Sequence, residues 1–206
     1  EIKIILKLKW LKNRTRYIAI EGNIGVGKTT LTQSLCKIFK GSIILEEFND
    51  NKLLKEFYDS GNYAFETEMQ FLLDRSIQIN KFFSKDHSII FSDFHIDKSL
   101  IFSKMNLNNT CLEIINQTHY NLFNHFPKPD LIIYLDGSLD SIMSNISKRN
   151  RTYEQNFSLE YLEKLSFNYK HWLESLEIPV FKINSNKLLF KDSDELKNIF
   201  SPILSA

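Results

Sequence analysis

At 206 residues, 43% of them hydrophobic, the chain can bury one α/β core and is short for two, so residues 17–206 are expected to form a single domain. Lys and Arg total 26 against 25 Asp and Glu, and the net charge of +1 supplies no global field for gripping a nucleic-acid backbone, which excludes long nucleic acid as an expected partner. Cys36 and Cys111 lie far apart with neither CxxC nor Cys/His spacing, so no disulfide framework or zinc site is expected and the thiols read as reduced and cytoplasmic.

In chain order, residues 1–16 form an N-terminal extension that alternates apolar and basic side chains, as an appended strand would. It lacks a signal-peptide pattern, and no apolar run approaches the ~20 residues a membrane span needs. No function is read from it. Short apolar runs at 17–20, 42–45, 88–91, 131–135 and 179–183 predict five buried strands. Between them, Leu31, Leu35 and Ile38 share a helical face, as do Phe71, Leu72, Ile79 and Phe82, and later Tyr161, Leu162, Leu165, Tyr169 and Trp172. Alternating strands and helices with long crossovers predict an α/β fold: a five-stranded parallel sheet with helices on both faces. Ligands then bind beyond the carboxyl ends of the strands.

The first strand runs into GNIGVGKTT, which fits GxxxxGK(S/T) and leads into an amphipathic helix. Gly22, Asn23, Ile24, Gly25, Val26, Gly27, Lys28, Thr29 and Thr30 are therefore expected to bind a nucleoside triphosphate. The glycines let backbone N–H groups converge on phosphate oxygens, Lys28 neutralises the outer phosphates, and Thr29 offers a hydroxyl to Mg²⁺. No guanine-reading NKxD segment accompanies the loop, which favours a small-molecule kinase over a GTPase.

Acids follow the second and third strands at this edge. Glu46 and Glu47 follow the second strand, where a carboxylate can accept a proton from an acceptor hydroxyl. Asp93 follows the third, as a Mg²⁺ ligand would, with Asp97 beyond it expected to be a helix-face charge. After the fourth strand, KRNRTYE packs Lys148, Arg149 and Arg151 ahead of Glu154, a basic lid able to close over phosphates.

The ordered set GNIGVGKTT, LEEFNDNKLLKEFY, YAFETEMQFLLDR, KSLIF and KRNRTYEQNFSLEYLEKL, with Tyr169 and Trp172, resembles the deoxynucleoside kinase family, especially its bacterial members, over residues 17–173. The resemblance implies a P-loop kinase that uses ATP and Mg²⁺ to phosphorylate the 5′-hydroxyl of a deoxynucleoside in nucleotide salvage. It also implies a homodimer formed through helices, for which 112–126 offers an apolar face. Counting back from Asn51 along the family's EPxxxNP segment puts the catalytic base at Glu46 rather than Glu47, and Arg149 with Arg151 match the lid arginines. Tyr58 and Glu154 match positions that hold the sugar 3′-hydroxyl, and Glu68 with Arg75 match the base-reading pair.

Three departures stand out. Glu68 replaces a Gln, and an ionised carboxylate, which only accepts, suits the adjacent N1–H and N2–H₂ donors of guanine, so a purine such as deoxyguanosine is expected. Ser92-Asp93-Phe94 replaces Glu-Arg-Ser, leaving Asp93, with Thr29, as the metal ligand and Lys98 as the substitute positive charge. Asn145 occupies one lid-arginine position. Phe65 and Phe71 are expected to line the nucleoside pocket. Two rival readings remain beside the kinase: a nucleoside monophosphate kinase of the thymidylate type, whose DR segment SDFHID lacks, and a catalytically silent kinase-like subunit.

Overall fold

Strand β1 (Arg16–Gly22) shows how the sequence builds a two-faced sheet. Successive side chains point to opposite faces. Ile18 and Ile20 therefore enter a core with Leu31, Leu35, Leu196 and Phe200, whereas Tyr17 enters another with Leu72, Ile79, Ile115 and Phe123. The computed structural model describes residues 16–47, 52–83, 88–151, 154, 157–188 and 191–204. The expected extension thus lies outside the described residues, except Arg16, which opens β1.

The remaining strands are β2 (Ser42–Ile44), β3 (Ile89–Ser92), β4 (Leu131–Asp136) and β5 (Val180–Asn184). They pair in parallel in the order β2-β3-β1-β4-β5, the fold class expected from the alternation of apolar runs. Helices α1 (Lys28–Phe39), α2 (Lys52–Ser60), α3 (Ala64–Phe83), α4 (Lys98–Asn106) and α5 (Asn109–Phe123) precede β4. Helices α6 (Leu139–Arg149), α7 (Leu159–Glu174) and α8 (Ser193–Leu204) follow it. On one face α1 and α8 cover the sheet; on the other, α3 and α5 do so, and a third cluster of Ile101, Phe102, Tyr134, Leu165 and Tyr169 joins α4 and α7 to β4.

β1 sits at the centre, so the loop that leaves its end opens where β3 and β4 diverge to either side, the crevice in which ligands of open parallel sheets bind. β1 and β4 run further than their apolar runs, to Gly22 and Asp136, and β3 is shifted one residue to end at Ser92. Polar residues at this edge extend the strands because they have partners there.

Candidate active site

The loop from Gly22 to Gly27 turns the chain from β1 into α1. At Gly22 φ is +147°, and a Cβ there would lie 2.5 Å from the carbonyl oxygen of Leu135 on β4. Gly22→Ala is accordingly expected to cost on the order of 1–3 kcal/mol in chemical denaturation and to weaken ATP binding, because the side chain would push the loop off the neighbouring strand. The Lys28 ammonium donates to the carbonyl oxygens of Gly22 and Asn23, both at 2.9 Å. Burial and the nearby Lys98 cation draw its pKa down to about 8. At the start of α1 the N–H groups of Lys28, Thr29 and Thr30 lack helical acceptors and are available to phosphate oxygens.

These residues wall a cavity of about 680 Å³. Ile24 to Thr30 line it, and Gly22 and Asn23 do not. Of the loop residues expected to bind the triphosphate, those two instead hold Lys28, and Asn23 fastens the loop through its side-chain amide, which donates to the Leu162 carbonyl (2.8 Å) and the Ser166 hydroxyl (2.7 Å) on α7. Further walls come from Ser34 of α1, Leu196 of α8 and the 3₁₀ turn Ser185–Leu188, and, on the acceptor side, from Leu54, Phe57 and Tyr58 of α2, Thr67, Glu68, Phe71 and Arg75 of α3, and Phe102 of α4.

Glu46 faces this cavity and Glu47 is exposed. Arg75 reaches Oε1 of Glu46 with Nε at 3.0 Å and with Nη2, and Lys98 Nζ pairs with Oε2. Burial disfavours charge on Glu46, yet Lys98 and Arg75 outweigh it and hold the carboxyl at about 2. Lys98 thus puts positive charge beside Glu46. Arg75 is committed to Glu46 and to the Ser99 hydroxyl, with its guanidinium over the Phe71 ring at 5.0 Å.

Asp93 accepts the Thr29 hydroxyl at 2.5 Å on Oδ2 and the Glu46 backbone N–H at 2.8 Å on Oδ1. A hydroxyl and a carboxylate in contact at the cavity wall are oxygen donors of the kind Mg²⁺ takes alongside substrate phosphates, and among the described residues no group of three or more His, Cys, Asp or Glu competes as a metal cage.

Glu68 is 4% exposed, and its Oε1 accepts from Asn106 Nδ2 at 2.9 Å. Burial pushes its carboxyl up to about 7, against the lowering effect of Asn106, Arg75 and Lys98. Glu68 thus keeps its proton to higher pH than an exposed carboxyl does. Beside it, Tyr58 packs edge-on against Phe157 (4.8 Å), which stacks on Tyr161 (5.2 Å). Arg149 and Arg151 both pair with Glu154, the latter at 3.2 Å, so the expected lid residues form one cluster at the cavity rim. Asn145 donates to the Gly25 carbonyl at 2.9 Å.

Two expectations are corrected. Asp97 is not a helix-face charge: Trp172 Nε1 donates to it at 3.0 Å, and His119 (3.3 Å) and His95 (3.5 Å) flank it, so it ties α7 and α5 to the start of α4. Phe65 is partly buried against the core cluster of Leu72, Ile79, Ile115 and Phe123, and of the two expected aromatics Phe71 lines the cavity. Glu21 is fully buried and accepts from Tyr169 Oη (2.9 Å), His95 N (2.5 Å) and Gly22 N (3.2 Å), bracing the strand end from which the loop departs. Periodicity does not announce such an acid, because it follows the strand's apolar run as a surface residue would.

Among known proteins, the chain matches the family described as Deoxynucleoside kinase over residues 18–205. It is 36% identical over 169 residues to a deoxyguanosine kinase of Bacillus subtilis (strain 168), covering 80% of this chain and 82% of that one. It is 30% identical over 198 residues to a deoxyadenosine/deoxycytidine kinase of the same organism, covering 91% of each. A deoxyadenosine kinase of Dictyostelium discoideum is 34% identical over 194 residues, with 87% of this chain and 76% of that one covered. Among solved structures, deoxyadenosine kinase from M. mycoides with bound dATP superposes with a TM-score of 0.79 at 24% identity over 93% of this chain and 100% of that one. The same enzyme with bound dCTP gives 0.78 at 25% identity over 92% and 100%. With a P-loop, an acid held ionised beside it, and a family match that spans nearly the whole of the described fold, the chain belongs to the deoxynucleoside kinase family.

Proposed function

We propose that this kinase transfers the terminal phosphate of ATP to the 5′-hydroxyl of a purine deoxynucleoside, deoxyguanosine first, as a step of nucleotide salvage in the cytoplasm. The observation that carries the reading is Glu46, held ionised by Arg75 and Lys98 on the wall of the cavity that Lys28 and Thr29 also line. In this reading the triphosphate lies along Ile24 to Thr30, its charge met by Lys28 and by the first N–H groups of α1. Mg²⁺, held by Thr29 and Asp93, would neutralise charge on the phosphate oxygens. Glu46 accepts the 5′ O–H and aims its oxygen for in-line attack. Tyr58 and Glu154 hold the 3′-hydroxyl, and Arg149 and Arg151 close over the phosphoryl group, excluding water as a competing acceptor. Glu68 faces the base from the cavity wall, with Arg75 beside it supporting Glu46.

Residues 17–206 act as one domain in this reading, and two copies pair as a homodimer. Leu73 and Ile77 on α3 and Ile114 and Tyr120 on α5 are exposed apolar side chains on helices that pack together, and in this reading they contribute to the contact with a second copy. Sedimentation equilibrium at micromolar concentration is expected to give twice the chain mass, and a single-chain mass would refute the pairing. No helix among the described residues is long and apolar enough to cross a membrane, and Cys36 and Cys111 are free thiols, both in keeping with a cytoplasmic chain.

Phosphate transfer from ATP to the four deoxynucleosides and to their monophosphates tests the activity. Deoxyguanosine is expected to be turned over best. Transfer only to monophosphates would replace this reading with the thymidylate type, and ATP binding without turnover on any acceptor would replace it with a silent subunit.

A further inference from the structure

We propose that Glu68 and Asn106 form a proton-dependent base reader, in which the carboxylate of Glu68 selects guanine and its carboxylic acid selects adenine. The inference rests on the reading of this cavity as a purine-nucleoside site and names how that site chooses among purines.

Glu68 lines the cavity but is 4% exposed, and Asn106 Nδ2 fixes its Oε1 at 2.9 Å. Among the described residues no hydrogen bond reaches Oε2, and each carboxylate oxygen has further acceptor capacity. The ionised group therefore presents acceptors only, the complement of guanine N1–H and N2–H₂. Protonated, it presents one O–H donor beside an acceptor, the complement of adenine N1 and N6–H₂. Asn106 suits both states, since half a turn of its amide exchanges Nδ2 for Oδ1.

The groups that face Glu68 set the balance from several elements. Arg75 on its own helix and Lys98 on α4 favour the anion, and Glu46 after β2 opposes it. Tyr58 from α2 and Tyr161 from α7 bring hydroxyls that stay protonated, because burial and the Glu68 charge push both upward, and Glu154 acts on Tyr58 in the same sense. Arg75 and Lys98 are themselves paired with Glu46, so their pull on Glu68 is partial and burial prevails. The carboxyl lies at about 7, within the range in which both forms are populated.

The test is the ratio of kcat/KM for deoxyguanosine to that for deoxyadenosine between pH 5.5 and 8.5. For one ionisation near neutrality, each limb changes roughly tenfold over two pH units, in opposite directions, so the ratio should rise steeply with pH. In Glu68→Gln the amide always carries both donor and acceptor, and the ratio should be flat. Asn106→Leu removes a donor that favours the anion, and the midpoint should move to higher pH, which a merely structural loss would not produce. Calorimetry in buffers of different ionisation enthalpy at pH 7 should show about half a proton released per deoxyguanosine bound to the wild type, and none with Glu68→Gln. A flat wild-type ratio, or the same pH dependence in Glu68→Gln, overturns the inference while leaving the purine reading intact. Better turnover of pyrimidines at every pH overturns the purine reading itself.

Discussion

Glu46→Gln is expected to lower kcat by about 10² to 10⁴ while ATP binding stays close to wild type. The amide is nearly isosteric, so the loss reports the charge rather than the shape. Without the charge, the 5′-hydroxyl keeps its proton and is no longer aimed at the phosphorus. The change also removes the counter-charge of Arg75 and Lys98, which are only 4% and 8% exposed, and breaking such a buried pair costs about 3–5 kcal/mol. Stability and rate should therefore fall together, and steady-state kinetics beside urea denaturation separates them. Because the Glu46 carboxyl is held near 2, below its unfolded value, its stabilising effect is complete above pH ~4.5 and is lost as pH falls towards 2. The wild type should lose this part of its stability across that window and the variant should not. A variant with unaltered kcat would remove Glu46 from the reaction.

Lys28→Ala is expected to reduce kcat/KM by roughly 10² to 10³ with little change in melting temperature. Lys28 is a partly desolvated cation whose ammonium donates to the carbonyl oxygens of Gly22 and Asn23; burial and Lys98 oppose its charge more than Glu21, Glu46 and Asp93 favour it. Folding gains little from such a group; a bound polyphosphate gains a great deal. Lys28→Arg should not restore the rate, because a planar guanidinium cannot occupy the place of a compact ammonium between two carbonyls. Calorimetry with ATP should show the affinity loss directly, and a collapse of the melting temperature in Lys28→Ala would show that the side chain supports the fold instead.

Much of this architecture was legible because the sheet is buried on both faces. A strand covered from both sides reads as an apolar run, and 131–135 gave β4 to within one residue. The phosphate loop was legible because its spacing is imposed by backbone geometry that few residues satisfy. Helix α8 was missed although Leu196, Phe200 and Leu204 repeat at four-residue intervals and all three are buried against the α1 face; Pro202 within the helix obscures that pattern. The polar partnerships were less accessible. Asp97 and Glu21 sit in sequence contexts that surface acids share, and only the packing of α7 brings Trp172 and Tyr169 to them. Asn106 lies 38 positions from Glu68, and no local rule joins the two. Phe65 and Phe71 lie six positions apart on one helix, about one and two-thirds turns, so composition alone could not say which of them turns towards the cavity.

The contact of Asn145 with the Gly25 carbonyl carries a mechanical implication. Helix α6 leans on the phosphate loop so closely that a Cβ at Gly25 would meet Ile146 at 2.7 Å, and the same helix ends in Arg149. A rigid rod that touches the donor cradle in its middle and carries a lid cation at its tip works as a lever. Any displacement of the loop would be carried along α6 to Arg149, so the two ends of this helix cannot move independently.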